Sequence, residues 1–263
     1  MGMSSRTYGA RYRWGGGGNF ITPAIKTLLI TMTAVFIGQT LIGVIFGREK
    51  YDLFTRTFGL IPGMAVFFGY VWQPFTYIFL HGGLWHILIN LLVLWMFGCD
   101  LERVWGQRRF YIYFFVCGVG AGLIDIAAEL LPMLWGRLPS GIPTIGASGA
   151  IYGVLIACAV LFPDRQIWLI PFPVTLSMRV YVAIMAGIEF FSELSSGGGD
   201  NVSHICHLGG MLIGYIYLRR GSFFFHARNA LTDWKRKRTR RKFEVYMRKR
   251  DGNPPSPPDR WVN

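Results

Sequence analysis

Apolar residues fall into six long runs along the chain, each bounded by charged, glycine-rich or proline-containing segments. A helix that crosses a bilayer needs about 20 mostly apolar residues, and helices enclosed by others can be shorter. The pattern therefore predicts an all-α, polytopic membrane protein with six transmembrane helices. The second, fourth and sixth runs are short and contain glycine, which favours a position inside the bundle. The six runs cover residues 25–46, 85–98, 110–131, 148–162, 176–191 and 203–218.

The connections between these runs predict the orientation of the chain. Six spans leave both ends of the chain on one side of the membrane, and cytoplasmic segments carry an excess of Lys and Arg. Arg103, Arg108, Arg109 and Arg165 follow even-numbered runs, and residues 219–250 hold a dense basic cluster. We therefore expect both termini in the cytoplasm, in a bacterial inner membrane. The predicted divisions are an N-terminal tail (1–24), a six-helix domain (25–220) and a basic, partly disordered tail (221–263).

Composition agrees with a membrane protein and excludes an ordinary soluble domain. Of the 263 residues, 52% are hydrophobic and 16% are charged, with a mean hydropathy of +0.36, whereas soluble domains carry about 25% charged residues. Most of the net charge of +13 lies in the C-terminal tail. Such a tail could bind nucleic acid, but a basic segment directly after a span is typical of contact with anionic lipid. We expect membrane lipid as the partner, and no nucleic acid.

A serine at the start of the fourth run is the first candidate for chemistry. Ser148 lies between Gly146 and Gly149, so that other backbone can approach it closely and the free N–H groups of a helix start surround it. Such donors suit the stabilisation of an oxyanion. Gly149 and Gly153 also form a G-x-x-x-G pair, a motif of close helix packing. The glycines alone are equally consistent with packing.

The sixth run contains a histidine on a similar glycine face. His207, Gly210 and Gly214 follow at i, i+3 and i+7, so they share one side of a helix. Two such faces can meet at a short interaxial distance and bring His207 to Ser148, where a neutral imidazole can activate the hydroxyl. His204, about one turn earlier, is the rival base. No acidic residue stands where it obviously orients His207, so the sequence predicts a dyad.

Polar residues also open the second run. His86 and Asn90 are i, i+4 neighbours that can donate hydrogen bonds to an oxyanion, and His81 precedes them. A zinc site built from His81, His86, His204 and His207 is the alternative. Its spacing does not match the H-E-x-x-H pattern, so we expect no metal and no other cofactor.

These motifs together resemble the rhomboid family of intramembrane serine proteases. The resemblance runs from about residue 72 to residue 214, in the same order and with similar spacing. It rests on the Gly146–Gly149 segment, the His207–Gly210 segment, His81 with His86 and Asn90, Leu101-Glu102-Arg103 with Gly106, and Arg109-Phe110. The Trp-Arg pair found in the first outer loop of some members is missing, since no tryptophan precedes Arg56.

The resemblance implies a function and a set of roles. Ser148 would be the nucleophile and His207 the general base, with His86 and Asn90 at the oxyanion and Tyr152 stacked on His207. Glu102 would bond locally and fix the connection between the second and third spans. The substrates would be transmembrane segments of other membrane proteins, with water reaching Ser148 through a cavity walled by His81, His86 and Asn90. The alternative is a silent rhomboid-like protein that binds client helices without cutting them.

Two further expectations concern the fifth span and the acids inside the membrane. The fifth span lacks a G-x-x-x-G face, so we expect it to pack loosely and substrates to enter beside it. Asp125 and Glu189 lie within apolar runs, outside the motifs. A charged residue inside a span is costly, and we expect each acid to be satisfied near a helix end or by a neighbouring polar group, without a catalytic role.

Overall fold

The computed structural model describes residues 20–136, 141–168, 174–196 and 203–219. The chain separates into two compact units, Met1–Gly214 and Tyr215–Asn263, and the described residues 215–219 of the second unit are helical. Most of the predicted N-terminal tail and the whole of the basic tail from residue 221 lie outside the described residues.

Helices dominate the described part of the chain, with one small sheet. The elements are α1 (Pro23–Phe46), α2 (Arg48–Phe58), α3 (Pro62–Phe67), α4 (Gln73–Thr76) with a 3-10 turn (Tyr77–Phe79), α5 (Leu84–Val93), a π-helical turn (Leu94–Gly98), α6 (Cys99–Trp105), α7 (Gln107–Leu130) with a 3-10 turn (Leu131–Trp135), α8 (Ser148–Leu161), β1 (Gln166–Trp168), β2 (Thr175–Ser177), α9 (Met178–Ser196) and α10 (204–219). The strands pair antiparallel, with Ile167 opposite Leu176.

Each predicted run contains a helix, and two of the differences in bounds change the description of the fold. The second helical stretch continues through the π-helical turn to Trp105, beyond its predicted end at Gly98. The fifth run was predicted to begin at Leu176, but this residue lies in β2 and the helix begins at Met178. The purely helical fold class is therefore corrected by one two-stranded sheet between α8 and α9.

Three described helical segments are long and apolar enough to cross a membrane, namely Pro23–Phe46, Leu84–Trp105 and Gln107–Trp135. α8 is apolar but shorter, and α9 carries Arg179, Glu189 and Glu193, which lower its hydropathy. The fold is thus a mostly helical bundle with three candidate spans, and the count of six stays a prediction.

α8 lies at the centre of the bundle, where small residues allow close approach. A β-carbon on Gly149 would lie 2.8 Å from the Cβ of Ala121 in α7. On the α10 side, a β-carbon on Gly210 would lie 1.9 Å from the Gly149 carbonyl oxygen, and one on Gly214 would lie 3.2 Å from the Gly153 Cα. The two glycine faces therefore meet backbone to backbone, which fixes α10 against α8.

Two buried glutamines anchor the connection between α1 and α5. Gln39 of α1 accepts a hydrogen bond from the His81 N–H (3.3 Å) and donates to the His81 carbonyl (3.2 Å) and the Tyr51 hydroxyl (2.9 Å). Gln73 of α4 accepts from the Ile61 N–H at 3.0 Å. Buried polar groups in such positions are costly unless they are bonded, so these amides determine the path of the connection.

Glu102 anchors the beginning of α1, contrary to the local role predicted for it. Its carboxylate accepts hydrogen bonds from the Thr22 hydroxyl and from the N–H groups of Ala24 (2.8 Å) and Ile25 (3.1 Å). The first N–H groups of a helix have no acceptor within the helix, and a negative charge is favourable at that end. The acid therefore joins α6 to a residue about 80 positions earlier.

An ion-pair cluster marks one end of the bundle. Asp100 of α6 accepts from Arg103 at 3.0 Å and from Arg165, which lies just before β1. The residues that follow the second and fourth runs therefore lie together, as their shared basic character predicted.

Candidate active site

Ser148 is the first residue of α8 and is partly exposed. The preceding Gly146 has a φ of +124°, a conformation that side chains rarely adopt, and its N–H donates to the Tyr77 carbonyl at 2.9 Å. Because helix-terminal N–H groups lack an acceptor in their own helix, the Ser148 N–H is available to an oxyanion bound beside the hydroxyl.

His207 meets Ser148 directly. Its Nε2 lies 2.7 Å from the Ser148 Oγ, within hydrogen-bond range, and both side chains are partly exposed. The meeting of Gly149 with Gly210 places these residues on adjacent helices with nothing between them. An unprotonated Nε2 in this position can accept the hydroxyl proton, which is the arrangement required for an activated serine.

His86 and Asn90 lie beside the Ser148 segment, on α5. A β-carbon on Gly146 would lie 2.7 Å from the His86 Nε2 and 3.7 Å from the Asn90 Nδ2. The Gly82 N–H donates to the His86 Nδ1 at 3.4 Å, which assigns the ring proton to Nε2. The Asn90 Nδ2 is buried and has no hydrogen-bond partner among the described residues. Two unused donors therefore face the backbone next to the serine.

The sequence predicted that His81 forms part of the wall of a water-filled cavity, and this prediction is wrong. Its side chain is 0% exposed, its Nδ1 lies 3.2 Å from the Phe79 carbonyl, and its ring lies edge-on to His86 at 5.1 Å. Burial lowers the pKa of His81 to about 4, and the ring is therefore neutral near neutral pH. The structure supports a packing role beside His86.

Tyr152 stacks on His207, as the resemblance implied, with ring centroids 4.5 Å apart and planes 21° from parallel. Its hydroxyl donates to the Glu189 carboxylate of α9. The other carboxylate oxygen, Oε2, lies 2.9 Å from the His207 Nδ1 and 2.6 Å from the His204 Nδ1. The prediction that no acid reaches His207 is therefore wrong. The sequence did contain one indication of this contact, which is Glu189 itself, a carboxylate inside an apolar run without a partner on its own helix.

His204, the rival base, occupies a different place. It contacts Glu189, its ring lies 6.3 Å from that of His207, and it is buried. Glu189, His204 and His207 are also residue types that bind metals, and their candidate ligand atoms lie within 4.8 Å of one another. The four-histidine zinc site that the sequence offered as an alternative to no metal is a different set of residues, and it does not contain Glu189.

Asp125 of α7 joins the two segments that carry the site. It accepts from the Thr144 hydroxyl (3.0 Å) and from the Ser203 hydroxyl (2.5 Å), four residues before Ser148 and His207 respectively. Ser203 in turn accepts the Cys206 N–H at the beginning of α10. The prediction that a polar neighbour satisfies this acid is confirmed, and its position suits the alignment of both helix starts.

Comparison with known proteins matches the same region of the chain. Residues 68–222 match the model of the Rhomboid domain. Rhomboid protein 1, mitochondrial, of Saccharomyces cerevisiae is 32% identical over 53% of this chain and 38% of its own length. RHOMBOID-like protein 1 of Arabidopsis thaliana is 33% identical over 60% of this chain and 38% of its own. Rhomboid protease GluP of Bacillus subtilis is 28% identical over 60% and 27%.

The matches cover 38% or less of these relatives' own lengths, and they include bacterial and mitochondrial proteins. They therefore do not single out the bacterial inner membrane predicted from the sequence. The domain match covers more than half of the chain, including Ser148, His207 and the residues around them. With its long apolar helices, this chain is an integral membrane protein and belongs to the rhomboid family.

Proposed function

We propose that this protein is an intramembrane serine endopeptidase that cleaves transmembrane segments of other membrane proteins. The observation that carries the proposal is the 2.7 Å contact between the Ser148 Oγ and the His207 Nε2 at the first turn of α8. A relative from Bacillus subtilis is named a protease, which supports the same reaction class.

The reaction begins with proton transfer from Ser148 to the Nε2 of His207, while the Oγ attacks a peptide carbonyl carbon. The resulting oxyanion accepts hydrogen bonds from the Ser148 N–H, His86 and Asn90. His207 then gives its proton to the leaving amine. It next removes a proton from water, which attacks the acyl-enzyme. His207 returns this proton to the Ser148 Oγ as the ester bond breaks and the second product leaves. No step requires a metal or an organic cofactor.

The membrane arrangement belongs to the same proposal. α8, α9 and α10 join the three long apolar helices as spans, which gives six in all and leaves both termini on one side. The excess of Lys and Arg in the segments of that side supports the cytoplasm. The basic tail contacts anionic lipid and not nucleic acid. A bacterial inner membrane is the proposed location.

Substrate helices enter beside α9 in this proposal, and a small residue at the cleaved position fits among the glycines. A disulfide cross-link between α9 and α5 tests the route. Cleavage of a membrane substrate should fall when the cross-link forms and recover when it is reduced. Unchanged cleavage by the cross-linked protein would exclude entry between these helices.

The reaction itself is tested by cleavage of a fluorescent transmembrane peptide in proteoliposomes. Wild type is compared with Ser148→Ala, His207→Ala and Ser195→Ala. Ser195 is an exposed serine of α9 whose hydroxyl bonds to the Phe191 carbonyl, and it serves as the matched control. We expect both site variants to lose cleavage by about 10³-fold or more, and the control to retain it.

Two results would contradict the proposal. Cleavage that persists in Ser148→Ala would assign the reaction to another group. A wild-type protein that binds the peptide and cuts none of several substrates would favour the alternative, a rhomboid-like protein that holds client helices.

A further inference from the structure

We infer that Glu189 is a positioning residue for His207, so that the site works as a Ser148–His207–Glu189 triad and not as a dyad. The inference rests on the proposed function. It comes from the meeting of α8, α9 and α10 around one buried carboxylate, whose side chain is 8% exposed.

The two nitrogens of His207 face different partners. The Nε2 lies 2.7 Å from the Ser148 Oγ, and the Nδ1 lies 2.9 Å from the Glu189 Oε2. A neutral imidazole carries one proton, and the Nε2 must be free of it to accept the proton of Ser148. The proton must then be on Nδ1, where a carboxylate oxygen is the acceptor that favours it.

The contact is close but bent. A hydrogen on the Nδ1 lies in the plane of the ring and does not point at the Oε2. The two atoms are therefore in contact without a well-aligned hydrogen bond. Catalytic hydrogen bonds are often poorly aligned without substrate and tighten in the complex.

The second oxygen of the Glu189 carboxylate, Oε1, acts on His207 indirectly, through the tyrosine ring that stacks on the face of the imidazole. The Oε1 accepts the hydroxyl of Tyr152, whose ring stacks on His207 at 4.5 Å. One carboxylate therefore restrains both the edge of the imidazole and the ring that packs against it. His204, at 2.6 Å from the Oε2, adds a donor that helps to offset the cost of burying the charge.

A metal ion explains the cluster less well. Ligand atoms around a tetrahedral zinc ion, with bonds of about 2.0–2.1 Å, lie about 3.3 Å apart. The Oε2 lies only 2.6 and 2.9 Å from the two histidine nitrogens, which are distances between donors and acceptors in direct contact.

The experiment compares Glu189→Gln and Glu189→Asp with wild type in proteoliposomes. Glu193→Gln, which removes an acid one turn further along α9, is the control. The readouts are kcat and KM for the transmembrane peptide, the thermal unfolding midpoint, and the rate at which a fluorophosphonate labels Ser148. In that labelling the Ser148 oxygen forms a bond to phosphorus, fluoride leaves, and His207 takes the proton.

We expect Glu189→Gln to lower kcat and the labelling rate by about 10²-fold, with KM within about twofold of wild type. An amide can donate to the Nδ1 and so favour the wrong tautomer. Glu189→Asp keeps the charge on a shorter side chain and should retain an intermediate kcat, while Glu193→Gln keeps the wild-type value. A defect of folding alone would not leave KM unchanged while kcat falls most in Glu189→Gln, less in Glu189→Asp and not at all in Glu193→Gln.

Several outcomes would overturn the inference. Glu189→Gln with a kcat within about threefold of wild type would do so, as would cleavage that EDTA abolishes and zinc restores. If the Gln variant does not fold, Glu189→Ala, which also removes the carboxylate, decides, and a wild-type kcat in that variant excludes the role. A wild-type protein that neither cleaves nor labels refutes the proposed function and the triad together. Labelling of wild type without cleavage still tests the triad alone.

Discussion

A β-carbon on Gly210 would lie 1.9 Å from the carbonyl oxygen of Gly149, a distance that no pair of non-bonded heavy atoms tolerates. Gly210→Ala must therefore separate α10 from α8, and His207 from Ser148. We expect cleavage to fall by about 10²-fold or more, because a displacement of about 1 Å is enough for such a loss. The free energy of unfolding should fall by about 1–3 kcal/mol. Peptide cleavage and thermal unfolding in detergent measure the two effects.

The matched control for this prediction is Gly187→Ala on α9, where a β-carbon would have no neighbour within 4 Å. Alanine favours helix more than glycine, so the unfolding midpoint should stay or rise. A Gly210→Ala protein with wild-type cleavage would contradict the close contact between the helices.

Gly146→Ala should inactivate the protein for two separate reasons. The φ of +124° is unfavourable for alanine, and the added carbon would lie 2.7 Å from the His86 Nε2. We expect a loss in kcat of about 10²-fold or more, since both Ser148 and His86 must shift. Gly69→Ala has a φ of +76° and no neighbour within 4 Å, so it is the control for an alanine at a positive φ outside the site and should keep its activity. Equal losses of activity in the two variants would rule out the contact with His86.

Asn90 and Gln39 are both buried amides, but we expect their substitution by leucine to affect stability differently. The Asn90 Nδ2 has no partner in the described part of the chain, whereas Gln39 makes three hydrogen bonds. Asn90→Leu should lower kcat by about 10–10³-fold, through loss of an oxyanion donor, without lowering the unfolding midpoint. Gln39→Leu should lower the unfolding free energy by about 1–3 kcal/mol, because it leaves the His81 main chain unpaired. Similar unfolding midpoints for the two variants would contradict this difference.

Glu102→Ala should destabilise the fold and leave the chemistry intact. The substitution removes the acceptor for the first N–H groups of α1, at a cost of about 1–3 kcal/mol, far along the chain from Ser148. Glu49→Ala removes an exposed acid and should change the unfolding free energy by less than about 0.5 kcal/mol. Thermal unfolding and kcat are measured on both proteins. A Glu102→Ala variant with a wild-type midpoint would show that the capping bonds contribute little.

Glycine spacing explains why the pair of Ser148 and His207 could be predicted from the sequence. A missing side chain every three or four residues marks the face where two helices come together, and a polar residue on such a face has few possible neighbours. The helical runs were predictable for a similar reason, since a membrane-spanning helix must be long and apolar.

Contacts between helices without a periodic signature could not be predicted in this way. Glu189 reaches residues 15 to 37 positions away on two other helices, and nothing in the spacing along α9 indicates them. Glu102 likewise bonds about 80 positions away, although the family resemblance implied a local role. In both cases the sequence shows that a buried acid needs a partner, and only the packing of the helices selects it.

The cluster around Glu189 also has a consequence for the order in which the chain enters the membrane. α9 is not one of the three described helices that are long and apolar enough to span a membrane. The partners of its residue Glu189 lie on α8 and α10. In the proposed arrangement of six spans, a newly made α9 in lipid would hold a carboxylate with only Tyr152 to receive it, because both histidines are synthesised later. A lone charge at that depth is costly. α9 is therefore expected to wait at the translocation site and to partition into lipid together with α10, as a helical hairpin.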